Sequence, residues 1–337
     1  MYMILRTLSI IFLFSFYLSS AQEVFFDTND SEIPFNTERF IVPKKFRTLG
    51  INKIEIEKLL GESNLESEVN VHESNDLILI PLPNGENVFF RFVQAPIMSS
   101  VLSAKYPKIK TYLGESIDHK MTMRFNYNPE LGFHAMIMGQ TDVIFIDPYS
   151  FHNNNYIISY YKKDYENDTK SEFHEEAPIS SSDYEEYLEY KAANPIIEQN
   201  RNSGDQLKTY RIAIACTQQY SNFHGGTTEE TLDAIVTTMN RINQVYETEL
   251  AIRLILVDNN DSLINLSVSA GMSNNNTNQL INQSQEVIDD IIGSENYDIG
   301  HTFSTGAGGL ASLGVPCNDS EKARGVTGTN SPVGDPL

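Results

Sequence analysis

Cysteine is scarce in this 337-residue chain: only Cys216 and Cys317 occur. The shortage excludes a disulfide framework and a zinc cluster built from cysteines. In an oxidising compartment the two could pair with each other, or either could pair with a cysteine outside this chain. Positive charge is also short, with 24 Lys and Arg against 45 Asp and Glu and a net charge of −21. The excess is shared, 17 basic against 29 acidic residues up to position 200 and seven against 16 beyond it. Such a chain repels phosphate backbones and anionic membranes, which argues against nucleic acid as a partner.

Long apolar runs are missing too, apart from one at the start. Arg6 precedes an apolar run from Leu8 to Leu18, and Ser19-Ser20-Ala21 follows it. The run is about half of the ~20 residues needed to cross a bilayer, so it reads as a secretory signal peptide cleaved after Ala21. The expectation is a secreted, extracellular protein that no membrane retains after cleavage. Some 316 residues then remain, more than one core usually holds, and two domains are expected.

Several catalytic signatures are absent as well. No G-x-S-x-G nucleophile elbow occurs, and Ser304 in "HTFSTG" is one position out of register. His72 and His174 each precede glutamate, but neither has a second histidine four residues on, so both read as solvated side chains. His224, in "FHGGT", reads as a hydrogen-bonding loop residue, and His301, at the end of a strand, as a satisfied structural histidine. Gly306, Gly308 and Ala311 spell a loose G-x-G-x-x-A, but Gly314 and Pro316 interrupt the helix a dinucleotide loop requires. Asp258 to Ser262, "DNNDS", lacks the distal glutamate of a calcium loop and reads as a turn.

What is present divides in two. From residue 22 to 163 the pattern is mainly β. "DLILIPLPNGENVFFRFV" places two apolar runs around Asn84-Gly85 as a hairpin, and one short helix is expected at Lys53 to Leu60. Strands "HKMTMRFNY", "FHAMIM", "DVIFID" and "NYIISYY" follow, with turns at Asn128-Pro129, Gly139-Gln140 and Asp147-Pro148. Residues 164–206 form an acidic linker, because ten acidic residues and one lysine between Asp164 and Glu189 bury too little apolar surface to offset their ordering entropy.

From residue 207 to 337 strands and helices alternate. "YRIAIAC", "AIRLILV" and "DIGHTF" read as buried strands. Between them, Thr227 and Glu230 form a capping box ahead of a helix with Leu232, Ile235, Met239, Ile242 and Tyr246 on one stripe. Leu280, Ser284, Val287 and Ile291 mark a second helix ended by Gly293. The β-α-β-α-β order predicts a largely parallel sheet with right-handed crossovers.

The strings "YRIAIACTQQYSNFHGGT", "TTMNRINQVYETELAIRLILVDNND", "SENYDIGHTFSTGAGGLASLGVPC" and "KARGVTGTNSPVGDP" resemble the front half of the catalytic domain in exported bacterial reprolysin-like zinc metalloproteases, the M12B group of metzincins. The resemblance covers almost all of Tyr210 to Pro336, and "AKYPKIKTYLGES", "GFHAMIMG" and "FIDPYSFHNNNYIISYYKKDY" resemble that group's pro-domain. It implies an α/β metzincin-type N-terminal catalytic subdomain, with a mixed, mostly parallel sheet, preceded by a mainly antiparallel β pro-domain. It also implies that Gly308, Gly309, Leu310, Ala311, Ser312 and Leu313 form an antiparallel rim strand along which a peptide or protein substrate adds by backbone hydrogen bonds.

The family's zinc helix, H-E-x-x-H-x-x-G-x-x-H, follows its "GDP" by about a dozen residues and supplies three ligands and the glutamate that activates water. Leu337 precedes any such helix, so no catalytic or metal-ligand residue is carried over. Zinc is expected in full-length relatives but not bound to this chain. Two functions follow from the resemblance: a secreted metalloendopeptidase precursor present here without its catalytic half, or a non-enzymatic secreted peptide-binding or adhesion module.

Overall fold

The computed structural model describes residues 24–34, 39, 41–139, 142–151, 153–165, 206–267, 271–306, 308–316 and 318–333. The predicted leader, His174, nearly all of the acidic linker and Cys317 lie outside the described residues.

The first part of the chain builds a nine-stranded antiparallel sheet. Its strands are β1 (Phe25–Asp27), β2 (Arg47–Ile51), β3 (Leu77–Pro81), β4 (Asn87–Gln94), β5 (Lys110–Ser116), β6 (Thr122–Asn128), β7 (Gly132–Met138), β8 (Val143–Ser150) and β9 (Asn153–Tyr161). They lie in the order β1-β2-β9-β8-β7-β6-β5-β4-β3, so β3 to β9 run as a meander while β1 and β2 return beside β9. The predicted hairpin is the β3–β4 pair, where Leu82 N–H donates to the Glu86 carbonyl and Gly85 takes φ +93° in the turn. That left-handed conformation suits glycine and explains why Asn84-Gly85 marked the turn.

The helix expected at Lys53 to Leu60 is α1 (Lys53–Gly61), started by Asn52, whose side chain accepts from Glu55 N. Its Ile56 and Leu60 join Leu49, Phe90, Phe92, Phe125 and Phe133 in one apolar core. The turn expected at Asp147-Pro148 is instead part of β8: Pro148 pairs with Ile157, and an irregularity between Pro148 and Ser150 absorbs it. A bulge lets a strand accommodate proline without losing its partner strand.

The second part forms a five-stranded mixed sheet from β10 (Lys208–Cys216), β11 (Ile252–Leu256), β12 (Ile299–Ser304), β13 (Gly308–Ala311) and β14 (Gly325–Gly328), ordered β11-β10-β12-β14-β13. β10 pairs in parallel with β11 and β12, and β12 with β14; only β13 runs antiparallel. The expected β-α-β-α-β crossover order is thus observed. Two shorter helices, α2 (Ser100–Lys105) and α3 (Gln218–Phe223), accompany α4 (Thr228–Leu250) and α5 (Thr277–Ile292).

Alternation along β10 assigns the two long helices to opposite faces. Ile212, Ile214 and Cys216 pack with Leu232, Ile235, Val236 and Met239 of α4, while Ala213 and Ala215 pack with Ile288 and Ile292 of α5. Thr227 caps α4 as its sequence predicts, accepting from Glu230 N at 3.2 Å and donating to its carboxylate at 2.7 Å. On α5 the predicted stripe is rotated. Leu280, Ile281, Ser284, Gln285, Ile288 and Ile292 are buried, whereas Ile291 is 45% exposed, because the helix also packs its Leu280–Ile281 side against Leu310 and Val326.

The two sheets share a core. Ile97, Met98, Leu102 and Ile109, from the first part of the chain, belong to the same apolar cluster as α4, β10 and β11.

Candidate functional site

The two edges of the mixed sheet differ. At the β11 edge the segment 97–99 runs alongside in parallel: Leu256 N–H donates to the Ile97 carbonyl at 2.8 Å, and Ser99 N–H to the Leu256 carbonyl at 3.0 Å. At the opposite edge lies β13, and no strand among the described residues lies beyond it.

The register sets which β13 groups face outward. Ser312 N–H donates to the Arg324 carbonyl at 2.9 Å, one step past the Ala311–Gly325 pair. In an antiparallel ladder such bonded pairs alternate, so Leu310 and Gly308 bond inward to Val326 and Gly328. The backbone N–H and C=O of Gly309 and Ala311 therefore point away from β14, toward the open edge.

The strand is anchored from behind. Leu310 is 4% exposed and packs with Leu280, Ile281 and Val326. Ser312 Oγ accepts from Arg324 Nε at 3.1 Å, and Leu313, in the turn that follows, is 61% exposed. Of the six residues expected along the rim, Gly308 to Ala311 form the strand and Ser312 with Leu313 leave it. The G-x-G-x-x-A string starts no helix; Gly306 instead precedes β13 where a Cβ would sit 1.7 Å from the Asn274 carbonyl oxygen. Close backbone approach, not phosphate binding, accounts for that glycine.

Asn274 ties this approach to the sheet, its Oδ1 accepting from Thr217 Oγ1 at 2.8 Å and from Thr305 N at 3.1 Å.

The histidines near this sheet are structural. His301 Nε2 lies 2.9 Å from Thr327 Oγ1, as expected of a satisfied residue, and burial pushes its pKa down to about 4. His224 was expected to hydrogen-bond in a loop, and its backbone N–H does so, donating to the Tyr220 and Ser221 carbonyls at 3.2 and 3.1 Å, while its ring is enclosed by Tyr220 and Phe223 and its Nε2 has no partner among the described residues. Burial there drives its pKa down to about 3. Among the described residues neither ring gathers with two other ligand-type side chains, so the described donors beside β13 do not make up a zinc-type set. Asp261 of the predicted turn is taken by Lys105 Nζ at 3.1 Å and Tyr106 OH at 3.2 Å.

The pattern missed most plainly by sequence is the polar face of α4. Thr122, Arg124, Asn126 and Asn128 alternate along one face of β6 and meet Gln244, Glu247, Thr237 and Asp233 of the helix in turn. The Arg124 side chain is fully buried, its Nη2 donating to both Glu247 carboxylate oxygens at 2.7 and 2.9 Å and its Nη1 to Asn240 Oδ1 at 3.1 Å. Arg253 bridges Glu247 to Glu66, and Arg241 reaches Asp147, which also holds His134 and Tyr160. Burial pushes the Asp147 carboxyl up, but Arg241, His134 and Tyr160 together hold it below the usual carboxylate range. Polar residues every second position on β6 and every third or fourth on α4 were the available signal, and each alone resembles a solvated face.

A comparison with curated proteins found no match. Among solved structures, metalloproteinase-II from Bacteroides fragilis is similar over 81% of this chain and 82% of that chain, with 11% identity and a TM-score of 0.35. At that level no residue assignment is transferred from it. Residues 232–336, which run from within α4 past β13 and β14, match the model of metallo-peptidase family M12B, reprolysin-like, so this part of the chain is similar to that family.

Proposed function

We propose that the chain is the N-terminal part of a secreted zinc metalloendopeptidase precursor, in which residues 22–163 act as pro-domain and β13 receives an extended peptide substrate. The carrying observation is the asymmetry of the sheet: its β11 edge is occupied by segment 97–99, while β13 leaves Gly309 and Ala311 backbone groups facing outward within the M12B-matching segment. An open edge of this kind templates strand addition, with affinity from main-chain hydrogen bonds. The leader-like run before Ala21 supports export.

Metallopeptidases of this family are generally zinc-dependent, the zinc polarising the peptide carbonyl and activating water. These 337 residues contain no H-E-x-x-H sequence, so no residue here is assigned as zinc ligand or general base for hydrolysis. What the chain's own residues contribute is substrate alignment. A non-enzymatic peptide-binding or adhesion module would use the same edge and differ only in lacking the cleavage step.

Ala311→Pro tests the alignment, because proline removes an outward N–H yet is tolerated where that N–H faces away from the ladder. One lost hydrogen bond is worth about 1 kcal/mol, so peptide affinity should fall roughly fivefold with the fold retained. Amide hydrogen exchange with casein-derived peptides reads this directly. Peptides that slow exchange at Gly309 and Ala311 support the reading; protection elsewhere, or none, would overturn it.

A further inference from the structure

We infer that His72, Glu115 and His119 form a binding site for one divalent transition metal ion of the zinc class, on the nine-stranded sheet and away from the mixed sheet. Their ligand atoms, two imidazole nitrogens and a carboxylate, all lie within 4.8 Å of one another. The Glu115 side chain is largely buried at the end of β5, and its two oxygens divide between the rings. One faces His72 Nδ1 and the other His119 Nδ1, the latter at 3.1 Å. Two donors on a tetrahedral zinc, each about 2.0–2.2 Å from the metal, stand roughly 3.3–3.5 Å apart, so a small opening of the cluster admits the ion.

The surrounding backbone is arranged for this convergence. His119 adopts φ +58°, a left-handed conformation unusual for a residue with a side chain, and non-glycine strain of this kind gathers at functional sites. The turn that carries it is fixed internally. Ser116 Oγ accepts from Lys120 N at 3.1 Å and Met121 N at 2.9 Å, and His119 N–H donates to the Ser116 carbonyl at 2.8 Å. His72 sits in a short turn, Val71–Glu73, whose Asn70 side chain accepts from His72 N at 3.0 Å. Arg91, opposite Glu115 in the ladder, turns its guanidinium to the Ser74 carbonyl at 2.6 Å and so away from competing for the carboxylate.

Both imidazoles are 60% exposed on the solvent side, which leaves a fourth position for water or an external ligand. A His-His-Glu set with one open position is a zinc-type donor set. Bound there, the ion ties the 71–73 turn to the β5–β6 turn, two segments separated by 43 residues between His72 and Glu115. This site departs from the expectation that no zinc binds this chain, and it does not depend on the protease reading.

The test is zinc titration of the full chain after chelator treatment, followed by calorimetry and thermal unfolding. His119→Gly is the decisive variant, because glycine accepts the left-handed backbone and keeps the turn while removing one ligand. Glu115→Gln keeps the shape and removes the charge. The site predicts one zinc per chain, a zinc-dependent rise in Tm, and at least ~100-fold weaker binding in both variants, beyond the tenfold to hundredfold cost of losing only a supporting group. Lack of zinc binding by the wild-type chain, or zinc affinity unchanged in His119→Gly, would show that the three side chains form only a proton-sharing cluster.

Discussion

Asp233 carries a carboxyl into the contact between α4 and β6, where the Asn128 side-chain amide meets it at 3.3 Å. Burial raises its pKa from the ordinary 3.8 to about 6. The folded chain therefore holds this proton to a higher pH than the unfolded chain does. Stability is lost as pH rises through the window from about 4 to about 6, and the loss is complete above it. At 1.36 kcal/mol per unit the penalty at neutral pH is on the order of 3 kcal/mol. Asp233→Asn should then be more stable than the wild type at pH 7.5 by up to about that amount, and equal to it near pH 3.5, where the aspartate is protonated in both states. Urea midpoints at the two pH values decide it, and a difference independent of pH would count against burial as the cause.

At the scale of elements, α4 has two buried faces of opposite character. Leu232, Ile235, Val236 and Met239 pack on the mixed sheet, and the strand β6 opposes Asp233, Thr237, Asn240, Gln244 and Glu247 with polar partners. A buried charge whose partner is removed is costly, which makes Arg124 the sensitive point of the second face. Arg124→Ala leaves Asn240 without its donor and Glu247 dependent on Arg253 alone. The expected loss is about 3 kcal/mol in urea unfolding, against less than ~0.5 kcal/mol for an exposed control such as Lys58→Ala. Equal small effects would mean that the helix–strand contact contributes little.

For the whole molecule, the shared core and this polar ladder join what the chain order separates. Limited trypsin digestion should cut first within residues 164–206, with Arg201 the one arginine available there. The two fragments should still co-elute under native conditions, because Ile97, Met98, Leu102 and Ile109 stay packed with α4, β10 and β11. Size-exclusion chromatography after the nick, followed by denaturing electrophoresis, separates the outcomes. A first fragment eluting alone would show the joint core to be weak, and early cuts within the β3–β4 hairpin or α4 would misplace the boundary.

Local pattern alone determined the β3–β4 hairpin, α1, the capped start of α4 and the parallel run β10-β11-β12, because turn chemistry, caps and apolar periodicity act over a few residues. The rim strand at Gly308 to Ala311 was legible through the family resemblance, not through periodicity, since a four-residue glycine-rich strand carries almost none. Tertiary structure decided the rest. Only strand register brings His72 beside Glu115 and His119, only packing against β6 turns the polar face of α4 inward, and only segment 97–99 closes one sheet edge while no described strand lies beyond β13 at the other. Each of these depends on pairings between residues far apart in the chain. Polar side chains that meet across such pairings have the same local pattern as side chains that meet water.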